Sequence, residues 1–291
     1  MTTADAYHYT TAAGVLGILD SKRLRLTDVQ FLNDTRELGA VEDLAQHLRS
    51  QATGMSADWD NLSDSDQFLA QRLDAFASVF TDLARRRFTM ARAFVACFCR
   101  SGDRLSQWRG YAGSADGYAI GFDWERLGAA AIHKMPEGAP RVARNVLAMH
   151  VSVAQWQLGQ ADVRYPSADV LSAELEKLAF EFHNSDHLPQ FVDVVQQLAS
   201  VKHPAFSEEE ERRLIAIYPD ASPPDVSVRP GRFGLIPFVE AEFPVEAIRE
   251  IVVGPVLPSG AEMAVRDLLR WKLGRNVADS IKVRRSEATY R

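Results

Sequence analysis

The sequence predicts an α+β fold. One mixed domain is expected around a central, largely antiparallel sheet, whole or split, with helical insertions at about 36–90 and 166–200. Three observations carry this. Short β-branched and aromatic runs bounded by Gly, Ser or Asp make a strand-rich centre. The amphipathic stretches do not alternate with strands in the ordered way of a doubly wound fold. No internal repeat or low-complexity linker divides the chain. The strands number about eight, and 291 residues can bury a core of that size.

The elements follow in order. Tyr7–Thr10 is a strand, and the next stretch carries Val15, Leu16, Ile18 and Leu19 at helical spacing, with Thr10 or Thr11 as its cap. A second strand, LRLT, follows. Asp34 and Glu37 have capping-box spacing ahead of a helix that runs towards Ser50. Residues 50–62 read as a polar loop and 64–87 as the longest amphipathic helix. AFVACFCR, GYAIGFDW and VLAMHVSVAQW are strands, with GDRLSQWRGYAG as a short polar-aromatic connection between the first two. Helical character returns from 167 to 200, interrupted near His187–Pro189. RRLIAIY, RFGLIPFVEAEF, IREIVVG and SIKVRR are the late strands, with a helix over 259–273.

Composition excludes several classes. With 33 Lys+Arg against 39 Asp+Glu the net charge is −6, so nucleic acid would be held only through a local basic patch. No apolar run reaches the roughly 20 residues of a membrane helix, and the first residues lack signal-peptide character, so a cytoplasmic protein without membrane contact is expected. Cys97 and Cys99 are two apart on one strand, a spacing poorly suited to bridging, and read as reduced core thiols. No metal-ligand signature, phosphate loop or nucleophile elbow is present, and no metal is expected.

Polar residues at strand ends are the candidates for chemistry. Alternation places His8 and Thr10 on one face of the first strand and Tyr7 and Tyr9 on the other. Ser106, Gln107, Trp108, Arg109 and Tyr111 gather a hydroxyl, an amide, two aromatics and a guanidinium, a mixture suited to a flat polar ligand or to a packed surface turn. Glu208 to Glu211 lead into a strand on which Glu209, Glu211 and Arg213 fall on one side, as a solvated acidic face or a cleft with an arginine beside a carboxylate. Arg229 to Phe233 form a second compact basic turn.

In order, these pieces resemble the bacterial family catalogued as domain of unknown function 2971. The matching stretches are Tyr7–Thr10, Phe31–Asp34 with Glu37, Cys97–Cys99, Leu105–Ala112, Lys202–Phe206 through Glu211 and Arg213-Leu214, Gly254-Pro255, and Ser286 with Tyr290-Arg291. The chain departs from the pattern at Cys99, where Ser is common, and at Arg212, where an aromatic that would wall the cleft is usual.

The order of elements is also similar to ADP-ribosyltransferases of the His-Tyr-Glu type. That resemblance implies their fold, NAD as substrate rather than a resident cofactor, and an unidentified macromolecular acceptor, or water in a glycohydrolase. It implies His8 on the adenosine-side ribose, Trp108 or Tyr111 stacking on nicotinamide, Glu211 as the catalytic acid and Glu209 as a second carboxylate. Tyr9, Thr10, Ser106, Gln107, Arg109 and Arg213 would complete the nucleotide site, with Arg109, Arg213 or Arg232 for the pyrophosphate. Two alternatives stand beside it: a nucleotide-binding sensor of a bacterial defence or stress system that does not turn its ligand over, and a nucleic-acid-processing toxin using His8 and the carboxylates.

Overall fold

The computed structural model describes residues 4–32, 39–57, 59–84, 92–111, 116–130, 157–167, 169–171, 173–174, 177, 196–197, 199–218, 226–231 and 234–289. It is mixed α/β, with strands β1 (Ala6–Thr10), β2 (Arg23–Asp28), β3 (Arg92–Cys99), β4 (Tyr118–Phe122), β5 (Gln157–Asp162), β6 (Glu211–Tyr218), β7 (Ser227–Gly231), β8 (Gly234–Glu242), β9 (Ile248–Val253) and β10 (Lys282–Arg285). The helices are α1 (Ala12–Ser21), α2 (Gly39–Ser56), α3 (Asp64–Ala84), α4 (Leu105–Tyr111), α5 (Trp124–Ala130), α6 (Ala261–Leu273) and α7 (Arg275–Ala278).

All ten strands join one open sheet, antiparallel at every pairing between strands except β9 with β10. Its organiser is β3. One edge of β3 is taken along its whole length by β6, from Arg92 opposite Tyr218 to Cys99 opposite Glu211. The other edge is shared. β1 meets it at Cys99, through Tyr7, and β2 meets it at Val95 and Phe94. Between those contacts the sheet forks into two wings, β1-β4-β9-β10 and β2-β8-β7.

Pleat alternation sorts side chains onto two faces. Ala6, Phe94, Ala96, Phe98, Ile120, Phe122 and Leu214 point to the larger core with Val15 and Leu19 of α1, Leu127 of α5, and Val265 and Leu269 of α6. Each large apolar side chain enclosed there stabilises the fold by about 1.5–3 kcal/mol. Tyr7, Tyr9, Cys99, Trp108, Ala119 and Val252 form a smaller cluster on the other face. The Tyr7 ring lies so close to Gly121, opposite it on β4, that a Cβ there would sit 2.7 Å from the ring. That contact leaves no room for a side chain.

Several elements differ from the sequence-based expectation. Ten strands fall among the described residues, where about eight were expected: QLGQAD forms β5, and Gly234–Glu242 is β8, paired with the additional strand β7. Residues 50–56 continue α2, and 59–61 form a 3-10 turn, where a loop was expected. The connection Leu105–Tyr111 is helical. Of the two caps expected for α1, Thr11 is the one used, its hydroxyl accepting from the Gly14 amide at 3.3 Å. α2 and α3 lie between β2 and β3, inside the stretch expected as a helical insertion. The strand VLAMHVSVAQW, the Asp34–Glu37 capping box, the break at His187–Pro189 and Tyr290-Arg291 lie outside the described residues. Both cysteines are free thiols. No described helix is long and apolar enough to cross a membrane.

Candidate functional site

The site is built at the head of β6. His203 caps a 3-10 turn, Pro204–Glu209, its Nδ1 accepting from the Ala205 amide at 3.2 Å. Glu210 then turns left-handed at φ +43°, and Glu211 opens the strand. A non-glycine residue in that conformation costs about 1–2 kcal/mol. It lets the acids on either side of Glu210 converge on one cation. Lys202 Nζ donates to Glu209 at 2.9 Å and to Glu211 at 3.2 Å, and also lies 4.8 Å from the Phe206 ring centre.

Glu211 is 5% exposed and Arg213 2%. Being two apart on one strand they share a face, and the guanidinium forks onto the carboxylate, Nε at 2.7 Å and one terminal nitrogen at 3.2 Å. The other terminal nitrogen of Arg213 donates to the Ala199 carbonyl at 2.6 Å. The backbone amide of Glu211 donates to the Tyr165 hydroxyl at 2.8 Å. Cys97 lies directly opposite Arg213 on β3, near enough for the Glu211 charge to act on its thiol.

Burial pushes the Glu211 carboxyl up, but the Arg213 guanidinium and then the Lys202 ammonium outweigh it and hold the group at about 2. Burial lowers the Lys202 ammonium, and the Glu211 and Glu209 charges overcome this and raise it above its ordinary value. Burial, and then the Glu211 charge, push the Cys97 thiol well up. The Tyr165 phenol is pushed up to about 12, chiefly by burial. At neutral pH the centre is therefore an ionised carboxylate between two fixed cations.

The other residues singled out in the sequence divide. Tyr111 ends α4 and is 42% exposed, and its phenol, raised first by burial, feels the charges of Glu209, Lys202 and Glu211. Arg109, also on α4, is exposed. Trp108 is wholly enclosed, edge-on to Tyr9 at 4.7 Å, with its indole N–H donated to Asp103 at 2.9 Å. Neither of its ring faces is open to a ligand, so the open aromatic ring here belongs to Tyr111. Gln107 is buried, and the Ser106 hydroxyl is buried without a partner among the described residues. Tyr9 is a scaffold: its hydroxyl donates to the Ser101 carbonyl and accepts from the Arg104 amide, each at 2.9 Å.

His8 does not join this cluster. Alternation puts it with Phe98, whose ring centre is 5.6 Å away, on the face opposite Glu211, and Thr10 shares that alternation. The imidazole sits in the fork beside β3, where Nδ1 bonds the Cys97 carbonyl at 3.0 Å. Since a carbonyl only accepts, Nδ1 carries the proton. Burial lowers the imidazole below its ordinary value and keeps it neutral at pH 7. Cys97 thus meets His8 through its carbonyl, while the Glu211 charge acts on its thiol from the other face.

Arg212, where an aromatic was expected to wall the cleft, points away from Glu211. Its guanidinium pairs with Asp162 and Asp5, each at 3.0 Å, and lies over Trp124. Sequence reasoning missed Lys202 and Tyr165 as parts of the site. In the sequence Lys202 stands out only within the Lys202–Phe206 stretch, and its tie to the acids emerges when the 3-10 turn folds back. Among the described residues no group of three or more His, Cys, Asp and Glu is arranged to hold a metal ion.

Comparison with known proteins adds one finding. Residues 107–214 match the family model described as "Protein of unknown function (DUF2971)". The resemblance read from the motifs is borne out over this span, which contains Tyr111, Lys202, Glu209, Glu211 and Arg213. No curated protein and no solved structure matches the chain.

Proposed function

We propose that this member of the DUF2971 family takes NAD or a related nucleotide against the Glu211–Tyr111 face, and cleaves the nicotinamide glycosidic bond to pass ADP-ribose to a macromolecular acceptor or to water. The observation that carries this reading is a buried carboxylate at the head of β6, held by Arg213 and Lys202 and near enough to the partly exposed Tyr111 for its charge to act on the phenol. As the bond breaks, nicotinamide leaves with the bonding pair and the ribose carbon becomes cationic. A fixed carboxylate stabilises that state more than the ground state. The acceptor oxygen then bonds to the carbon and releases its proton. Tyr111 supplies the face for the cationic ring. Arg109, exposed on the same short helix as Tyr111, is assigned to the pyrophosphate.

A second reading follows from the same carboxylate. Arg213 engages both Glu211 oxygens and Lys202 one of them, which is the arrangement of an acid that shapes a pocket. A binding module that recognises the nucleotide without turnover fits that geometry. Release of nicotinamide from NAD by the full chain and by Glu211→Gln separates the two. Turnover that falls about 10²–10³-fold in the variant supports the transferase. Equal rates in both proteins remove it, and calorimetric binding of NAD with no product over hours establishes the sensor.

A further inference from the structure

The Asp103 carboxylate lies outside the cluster just described and gathers donors from two distant stretches of chain. Asp103 sits between β3 and α4. It accepts the Trp108 indole N–H at 2.9 Å, the Glu287 amide at 2.6 Å and the Ser286 hydroxyl. Arg284 of β10 lies 3.7 Å away and donates to Glu250 at 3.0 Å, and Glu250 also receives the Tyr7 hydroxyl at 3.0 Å. The segment after β10 is seated by more than this carboxylate. The Ser286 amide donates to the Val253 carbonyl at 2.8 Å, the Ala288 amide to the Ser286 hydroxyl at 3.1 Å, and Ala288 packs against the Tyr7–Tyr9–Trp108 cluster.

α4 is a helix of seven residues, too short to hold itself in place. Arg104, the residue that leads into α4, reaches the Glu208 carbonyl and, at 2.8 Å, the Glu210 carboxylate. α4 is therefore clamped between the turn that leads into Glu211 and the segment after β10. Tyr111 stands three residues beyond Trp108, one helical turn further on.

We infer that Asp103 is the joint through which residues 286–289 position α4, so that undocking this segment frees the helix carrying Tyr111 and switches the Glu211 face from an ordered to a loosened form. The claim holds whatever ligand that face takes, because it concerns order in α4 and not turnover. Anything that captures the segment after β10 then regulates the site from outside it.

Amide hydrogen exchange tests this directly on the full chain, on a chain ending at Arg285, and on Ser286→Ala and Ser286→Thr. In the shortened chain the α4 amides, 105–111, are expected to exchange at least about tenfold faster while those of β3 and β6 keep their protection. A synthetic peptide of residues 286–291 restores protection as its concentration rises. Ser286→Thr keeps the hydroxyl and the parental rates. Ser286→Ala loses one hydrogen bond to a charged acceptor and speeds α4 exchange about tenfold. Parental exchange in α4 of the shortened chain overturns the inference. If shortening unprotects the whole sheet, the serine pair decides, and equal α4 rates in Ser286→Ala and Ser286→Thr overturn it. Nicotinamide release plays no part in the readout, so failure of the proposed reaction leaves this result standing.

Discussion

The Glu211 carboxylate is gripped by the guanidinium of Arg213, two residues along the same strand, through contacts of 2.7 Å and 3.2 Å, and both side chains are almost fully enclosed. Two charges desolvated together depend on each other, because removing either leaves a buried ion without its partner.

Arg213→Met is therefore expected to destabilise the fold by about 3–5 kcal/mol. Lys202 alone remains to compensate Glu211. Urea unfolding followed by circular dichroism reads this as a lower midpoint. A midpoint equal to that of the parent would show that the pair is solvated in solution.

Acid dependence follows from the same ion. Glu211 is held at about 2 against an ordinary 4.5, so the unfolded chain binds the proton more readily. Its contribution, about 3 kcal/mol, is present above pH 4.5 and is lost as pH falls towards 2. His8 acts in the same direction at higher pH. Its imidazole lies below 6.5 in the fold, so stability declines as pH drops through and below that value. Unfolding free energies measured from pH 7 to pH 2 are expected to slope downward in both windows. Glu211→Gln should flatten the lower window alone, and His8→Gln the upper alone.

The two aromatics of α4 have opposite roles, and alanine separates them. Trp108→Ala empties a fully enclosed site and should cost about 3–5 kcal/mol of stability. Tyr111→Ala, at a position 42% exposed, should change the unfolding midpoint little and weaken NAD binding about tenfold in calorimetry. Equal stability losses would place both rings in the core.

Glu210 offers a test of local strain. Its left-handed backbone is one a glycine adopts freely, and its ion pair with Arg104 is partly exposed. Glu210→Gly is expected to leave stability unchanged or raise it by up to about 1 kcal/mol, read from the thermal midpoint. A clear loss would assign the stability to the Arg104 contact.

Much of this was legible in the sequence where one period dominates. Alternation in Tyr7–Thr10 correctly separated the tyrosines from His8, and the same rule put Glu211 and Arg213 together. The helix near 259–273 appears as Ala261–Leu273 because its apolar positions recur over several turns. Elements without a period were missed. QLGQAD has few apolar residues and is a strand because β6 supplies a full edge, while Leu105–Tyr111 spans too few turns to show helical spacing and is set by its neighbours. The convergence expected of His8 and Glu211 depended on how β1 meets β3. These strands pair through Tyr7 and Cys99, and Cys99 lies opposite Glu211, so Tyr7 and not His8 shares the Glu211 face, a register that no local pattern encodes.

The central claim is that the Glu211–Tyr111 face receives the nicotinamide end of NAD. A crystal structure with NAD bound tests it most directly. The expected result is the nicotinamide ring against Tyr111 and the hydroxyls of its ribose on the Glu211 carboxylate. A dinucleotide bound elsewhere, with Glu211 still enclosed by Arg213 and Lys202, would contradict it.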